Sequence, residues 1–203
     1  MRQPVTDAQR DMALRILTTA MAILRDDQQF DPAHLIFGKI FAAEPLNGSA
    51  GTEYSFENLA FPGTQITLLV TIDPSDRTAD RMRARRIPRV FTIRFSPLMD
   101  GITRSTLEDL FPLDIGYWVD GEGNRRPGND MGAIPPQVRL HHYRYRASNQ
   151  PTSRFPVDVQ LAFGDPDPQD LRENARKTPV LMDVLLTRDY SSLKPERREQ
   201  NRR

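Results

Sequence analysis

Apolar residues recur at helical spacing near the start of the chain. They are Met12, Ala13, Ile16, Leu17, Ala20, Ile23 and Leu24. Thr6 and Gln9 precede them with the spacing of a capping box. The pattern predicts an amphipathic helix from Thr6 to about Arg25. Asp31-Pro32 has the form of a second helix start, and the apolar residues Leu35, Ile36, Phe37 and Ile40 follow it. We therefore expect a second helix there.

Further along the chain, apolar and polar residues alternate with the period of a strand. The segments are Ile66–Ile72, Phe91–Phe95, Val138–Arg146, Pro156–Phe163 and Val180–Arg188. Such alternation is typical of an antiparallel sheet with one covered face. The sequence also predicts a short helix capped by Ser105, a strand within Leu113–Val119, and two long loops at Asp73–Arg89 and Gly121–Pro136.

These elements predict an α+β fold. N-terminal helices would pack on one face of a mainly antiparallel sheet built largely from the three C-terminal strands. A length of 203 residues fits one domain, which we assign to residues 1–190. The charged segment 191–203 is predicted to be a disordered tail.

Composition excludes several kinds of chemistry. The absence of cysteine rules out disulfides, thiolate catalysis and Cys-ligated zinc. A net charge of +1 disfavours a specific nucleic-acid partner. No apolar stretch is long enough to span a membrane. The first residues lack the apolar core of a signal peptide. We expect a periplasmic protein if Met1 replaces a removed signal peptide, and a cytoplasmic protein is the alternative.

Candidate catalytic residues are few. His141 and His142 are adjacent on a predicted strand, so their side chains point to opposite faces and cannot line one site. His34 is the third and last histidine, which makes a three-histidine zinc site unfavourable. Phosphate-binding, dinucleotide and hydrolase motifs are absent from the sequence. We predict no catalytic residue, no metal and no cofactor.

Candidate binding residues cluster on the strand that contains His141. Its tyrosines and arginines are residue types enriched at protein interfaces. They also suit RNA or single-stranded DNA, and the plain structural alternative is tyrosines in the core with solvated arginines. Our candidate partner-binding residues are Tyr143, Arg144, Tyr145, Tyr117, Trp118, Arg83 and Arg85. Arg83 and Arg85 belong to an arginine-rich run that would suit an acidic partner, whereas Trp118 has core packing as its alternative role.

Residues 101–188 resemble the β-lactamase-inhibitor-like module, which also occurs in small outer-membrane lipoproteins. The resemblance rests on Gly101-Ile102-Thr103, Leu107, Leu110-Phe111-Pro112 and the aromatic strand around Tyr143. Phe111 stands where that family usually has glycine, and the loop to the aromatic strand is longer. The resemblance implies a module in which a helix packs on a sheet. Such a module of the bacterial envelope would bind other proteins and would have no catalytic residues.

Together these observations predict a non-catalytic protein-binding domain that neutralises or escorts a partner. An immunity or inhibitor protein against a secreted bacterial enzyme is one example. The alternatives are a hydrolase-type enzyme with a dispersed His/Asp site and an RNA-binding module. The sequence leaves the oligomeric state open.

Overall fold

The computed structural model describes residues 5–26, 28, 30–31, 33, 35–46, 51–78, 83–134, 137–147, 150–166 and 178–190. The predicted tail 191–203, His34 and Pro32 lie outside these ranges.

The N-terminal helix forms as its pattern predicts. Helix α1 spans Asp7–Arg25. The capping box is present, because the Thr6 hydroxyl accepts from the Gln9 amide at 3.2 Å and the Gln9 side chain accepts from the Thr6 amide at 3.0 Å. Asp26 ends the helix in the left-handed conformation.

Ten strands follow α1 among the described residues. They are β1 (Lys39–Pro45), β2 (Gly51–Glu57), β3 (Gln65–Ile72), β4 (Arg86–Met99), β5 (Tyr117–Val119), β6 (Arg125–Pro127), β7 (Asp130–Ile134), β8 (Gln137–Ala147), β9 (Val157–Gly164) and β10 (Val180–Arg188). Eight of them form one antiparallel sheet in the order β1-β2-β3-β4-β10-β9-β8-β7. Two four-stranded meanders therefore meet where β4 pairs with β10. Strands β5 and β6 form a separate hairpin, and helix α2 (Arg104–Leu110) precedes it.

One face of the sheet carries the core, and we call it the core face. Helix α1 packs there against β4, β10 and β9. Alternate strand residues are buried on this face, including Leu68, Ile93, Val184 and Val159. The opposite side, which we call the outer face, is partly exposed. The α+β class, with a helix packed on one face of an antiparallel sheet, is therefore confirmed.

The prediction of a second helix after Asp31-Pro32 is wrong. A single 3-10 turn at Leu35–Phe37 leads into β1. Phe37 is buried, with its ring centroid 5.4 Å from those of both Phe56 and Phe91. Gly38 then has φ of 108°, and a Cβ there would come within 2.2 Å of the Glu57 carbonyl oxygen. Burial of Phe37 and this close turn favour a strand over a continued helix.

Several boundaries also differ from the sequence-based expectation. The predicted loop at Gly121–Pro136 contains β6 and β7. The sheet is larger than expected, because β1 and β2 extend it beyond the predicted strands. Thr103, not Ser105, caps α2. The predicted strand within Leu113–Val119 is reduced to β5 and an isolated bridge from Leu113 to Ala147.

Candidate binding surface on the outer face of the sheet

The outer face presents continuous rows of side chains across the strands. Cross-strand pairing aligns Ser55, Thr67, Thr92, Leu185, Gln160 and Arg144 in one row. The next row is Glu53, Leu69, Val90, Thr187, Asp158 and Arg146. Every member of both rows is half-buried. The outer face thus combines aliphatic, threonine and charged side chains on a surface that solvent reaches.

The β5–β6 hairpin is fastened to the β8 end of this face by Asn129. The Asn129 side-chain amide donates to the carbonyl oxygens of Tyr117 at 2.8 Å and Arg144 at 2.9 Å. The Asn129 carbonyl oxygen accepts from the Arg144 amide at 2.9 Å. These bonds fix the position of β5 relative to β8.

Two arginines stack on aromatic rings at this junction. The Arg144 guanidinium lies 3.9 Å from the centre of the Trp118 ring, and the Arg125 guanidinium lies 4.5 Å from that of Tyr117. Such cation–π contacts hold the guanidinium plane in place. Within the described ranges, neither arginine forms an ion pair with a carboxylate.

The Tyr117 hydroxyl is also fixed. It donates to the Asp114 carboxylate at 2.6 Å. This hydrogen bond, together with burial, raises the pKa of Tyr117. Tyr117 therefore serves as a rigid, neutral support for Arg125.

Arg146, two residues after Arg144, has different surroundings. Its guanidinium donates to Asp158 at 2.8 Å and to Asp189 at 2.7 Å. Burial raises the pKa of Asp158 to about 6. The Arg146 guanidinium, which Asp158 shares with Asp189, lowers this pKa but does not fully offset the effect of burial. Arg146 is thus paired with two carboxylates of the chain. Arg144 acts on Asp158 only through its charge and forms no ion pair within the described part of the chain.

Tyr143 and Tyr145 lie on the core face, opposite to Arg144 as strand alternation requires. Tyr145 is only 1% exposed, and its hydroxyl donates to the Glu108 carboxylate of α2 at 2.7 Å. Burial raises the pKa of both tyrosines above the ordinary value. The Arg104 guanidinium of α2 lies 5.1 Å from the centre of the Tyr143 ring. The two tyrosines therefore dock α2 on the sheet, and Tyr145 is not accessible to a partner.

Arg83 and Arg85 lie on the β3–β4 connection. Arg85 forms ion pairs with Asp26 at 3.2 Å and Asp73 at 3.9 Å, beside the C-terminus of α1. Arg83 is exposed. Of the seven predicted binding residues, the structure thus brings Tyr117, Trp118 and Arg144 together and leaves the other four elsewhere.

His141 and His142 do lie on opposite faces. His142 is opposite Ala162 on the outer face. On the core face, Nε2 of His141 is 3.1 Å from the Asp165 carboxylate and Nδ1 is 3.9 Å from that of Asp130. A histidine acting as a general base uses one nitrogen for the carboxylate and the other for the substrate. Here both nitrogens face carboxylates, which favours a bridging role.

Sequence reasoning missed Arg125 and Asn129. Arg125 falls within a segment that was expected to be a loop, and no local signal marks Asn129 as an anchor. The hydrogen-bond partners of Asn129, Tyr117 and Arg144, are 12 and 15 residues away from it in the chain.

No family model, curated protein or solved structure matches the chain with significant similarity. Among the residues described, no group of three or more histidines and carboxylates has the arrangement of a metal site. In the same part of the chain, no helix has the length and apolarity required to cross a bilayer.

Proposed function

We propose that the protein is a non-catalytic binding domain that holds a partner protein on the outer face of its sheet. The observation that carries the proposal is the Arg144 guanidinium, which is stacked on Trp118 and forms no ion pair with a carboxylate among the described residues. Arginine and tryptophan are among the residues that contribute most to protein–protein binding when they are held rigidly at a partly exposed site.

The dimensions of the surface support a macromolecular partner. Six strand intervals separate β1 from β8, and strands lie about 4.8 Å apart, so the outer face is about 29 Å wide. A small molecule would instead be enclosed by a concave pocket. Leu69, Val90 and Leu185 supply apolar contact area near the middle of the face.

The charges indicate which chemistry the partner presents. Arg144 and Arg125 offer guanidinium donors, whereas the Asp158 and Asp189 carboxylates are already bound to Arg146. A partner carboxylate placed against Arg144 would form a planar, bidentate ion pair, with two hydrogen bonds from the guanidinium. The partner therefore presents an acidic residue at this point, with apolar residues beside it.

Neutralising or escorting the partner is the specific role that we propose. It is supported by the resemblance of residues 101–188 to the β-lactamase-inhibitor-like module, and α2 followed by the β8–β10 meander suits that helix-on-sheet plan. The corresponding partner would be a secreted bacterial enzyme.

The enzyme alternative rests on His141 and its two carboxylates. A hydrolase of this kind would lose activity in H141N while keeping partner binding. The RNA alternative is less favoured, because Tyr145 is buried and Arg144 lies on the opposite face of β8 from Tyr143 and Tyr145. A base could not stack on these rings while its phosphate contacts Arg144.

The proposal is tested by comparing proteins retained from a lysate of the source organism by four immobilised chains: wild type, W118A, R144E and R15E. Arg15 is exposed on α1, so R15E is a matched charge reversal away from the outer face. We expect a species that wild type and R15E retain and that W118A and R144E lose. Removing such a residue typically weakens binding at least tenfold, since it costs about 2 kcal/mol or more. Retention that is equal in all four samples would contradict the proposal.

A further inference from the structure

In the part of the chain that the structure describes, strand β1 is one edge of the sheet, and it carries a highly exposed aromatic residue. Phe41, in the middle of the strand, is 77% exposed. An edge strand presents unpaired backbone donors and acceptors that can pair with another strand. A large apolar side chain at such an edge favours a partner.

A bulge gives β1 an unusual order of faces. Ile40 is opposite Phe56 and Ala42 is opposite Ser55, so Phe41 is an extra residue between them. Ser55 belongs to the outer face and Phe56 to the core face. From Lys39 to Glu44 the side chains therefore lie in turn on the outer, core, outer, outer, core and outer faces. This order of faces is the same in both directions along the strand.

This symmetry fits a second copy of the chain. We propose that two protomers pair through antiparallel β1 strands about a two-fold axis between Phe41 and Ala42. In this register Ile40 is opposite the partner's Ala43, and Lys39 is opposite the partner's Glu44. Outer-face residues meet outer-face residues throughout, and the Phe41 side chains lie near the axis. One sheet then runs through both protomers.

The charges are self-complementary in this register. Within one chain Glu44 is opposite Glu53, an unfavourable pair of like charges across the strands. The partner's Lys39 supplies the missing opposite charge. The two-fold axis forms the Lys39–Glu44 pair twice, as an isologous interface requires.

The other edge is less suited to pairing. Strand β7 pairs irregularly with β8, with two register shifts, and Gly132 within it has φ of 71°. Irregularity protects an edge strand from pairing. The bulge at Phe41 is the single register shift between β1 and β2, and the rest of β1 pairs in regular register. The proposal therefore concerns β1 alone.

Charge reversal tests the register. In K39E and in E44K, like charges oppose each other twice across the axis. We expect each variant to dimerise about tenfold more weakly than wild type in sedimentation equilibrium. An equimolar mixture of K39E and E44K restores both charge pairs in a heterodimer, so we expect association close to that of wild type. Recovery in the mixture also demonstrates that both variants are folded.

The apolar contact has its own test and control. We expect F41S to weaken dimerisation, whereas I115S leaves it unchanged, because Ile115 is also exposed but precedes β5 at the far side of the sheet. A wild-type chain that stays monomeric at sub-millimolar concentration would overturn the proposal. So would a dimer that is insensitive to F41S, or a mixture that associates no better than its separate components.

Discussion

Arg144 and Arg146 show how neighbouring positions on one face of one strand acquire different roles. Both point to the outer face of β8. Arg146 meets two carboxylates, while Arg144 meets the Trp118 ring. The first arrangement pairs the guanidinium with carboxylates of the same chain, whereas the second stacks it on an aromatic ring. The amino-acid types are the same, so the difference lies entirely in what the neighbouring strands and the hairpin present.

The Asp158 carboxyl gives this region a pH dependence. Its pKa is raised from 3.8 to about 6, chiefly by burial. Because the folded pKa exceeds the unfolded one, this group stabilises the folded state below about pH 4, and the contribution is lost as pH rises through about 6. Its size is about 3 kcal/mol, since one pKa unit corresponds to about 1.4 kcal/mol.

We therefore expect D158N to become more stable relative to wild type as pH increases. The free energy of unfolding of each chain, from urea titrations at about pH 4 and about pH 7.5, measures the effect. D183N is the matched control, because Asp183 pairs with the exposed Arg94 on the same face. Parallel pH profiles for D158N and wild type would refute the assignment.

Helix α2 depends on side chains as much as on its own backbone. It has only seven residues, and its Thr103 cap accepts a hydrogen bond from the Thr106 amide at 3.1 Å. A helix this short is not stable alone. Leu107 is buried, and the Tyr145 hydroxyl ties Glu108 to β8. Tertiary contacts therefore hold α2 in place.

Removing the Tyr145 hydroxyl tests this docking. We expect Y145F to lower the free energy of unfolding by about 1.5 to 3 kcal/mol, as for a hydrogen bond to a charged group. Chemical denaturation measures the loss. D109N, an exposed change on the same helix, should have no comparable effect. Partner binding at Trp118 should also persist in Y145F, since the two sites lie on opposite faces of the sheet.

The molecule as a whole carries almost no net charge. Its 28 basic residues are balanced by 27 acidic ones, and several arginines pair with carboxylates within the chain. These carboxylates compete with phosphates for the guanidinium groups. Non-specific affinity for nucleic acid depends on how many phosphates the protein neutralises.

Binding to RNA should therefore be weak and should collapse with salt. Fluorescence anisotropy with a labelled single strand, at low and at physiological salt, measures it. R144E should reduce even the low-salt binding. Tight, sequence-selective binding at physiological salt would instead favour the RNA-binding alternative.

Much of the architecture follows from local patterns. The capping box with its apolar stripe specifies α1, and the period-two segments specify β3, β4, β8, β9 and β10, because burial of one side forces alternation. The same alternation places His141 opposite to His142 and Arg144 opposite to the tyrosines. The sequence did not predict the strands that lack a clear period. A bulge interrupts the alternation in β1, and β6 and β7 lie in a segment rich in glycine and proline.

The sequence by itself determined the class of fold, the elements with strong periodicity and the residue types that could form an interface. Only the tertiary structure decided which of them meet. Trp118 and Arg144 are 26 positions apart and become neighbours because Asn129 fastens the hairpin to β8. Arg146 meets Asp158 and Asp189 because three strands are aligned in register. Periodicity is a local property of the chain, whereas contacts between distant residues depend on the relative placement of elements that no local pattern encodes.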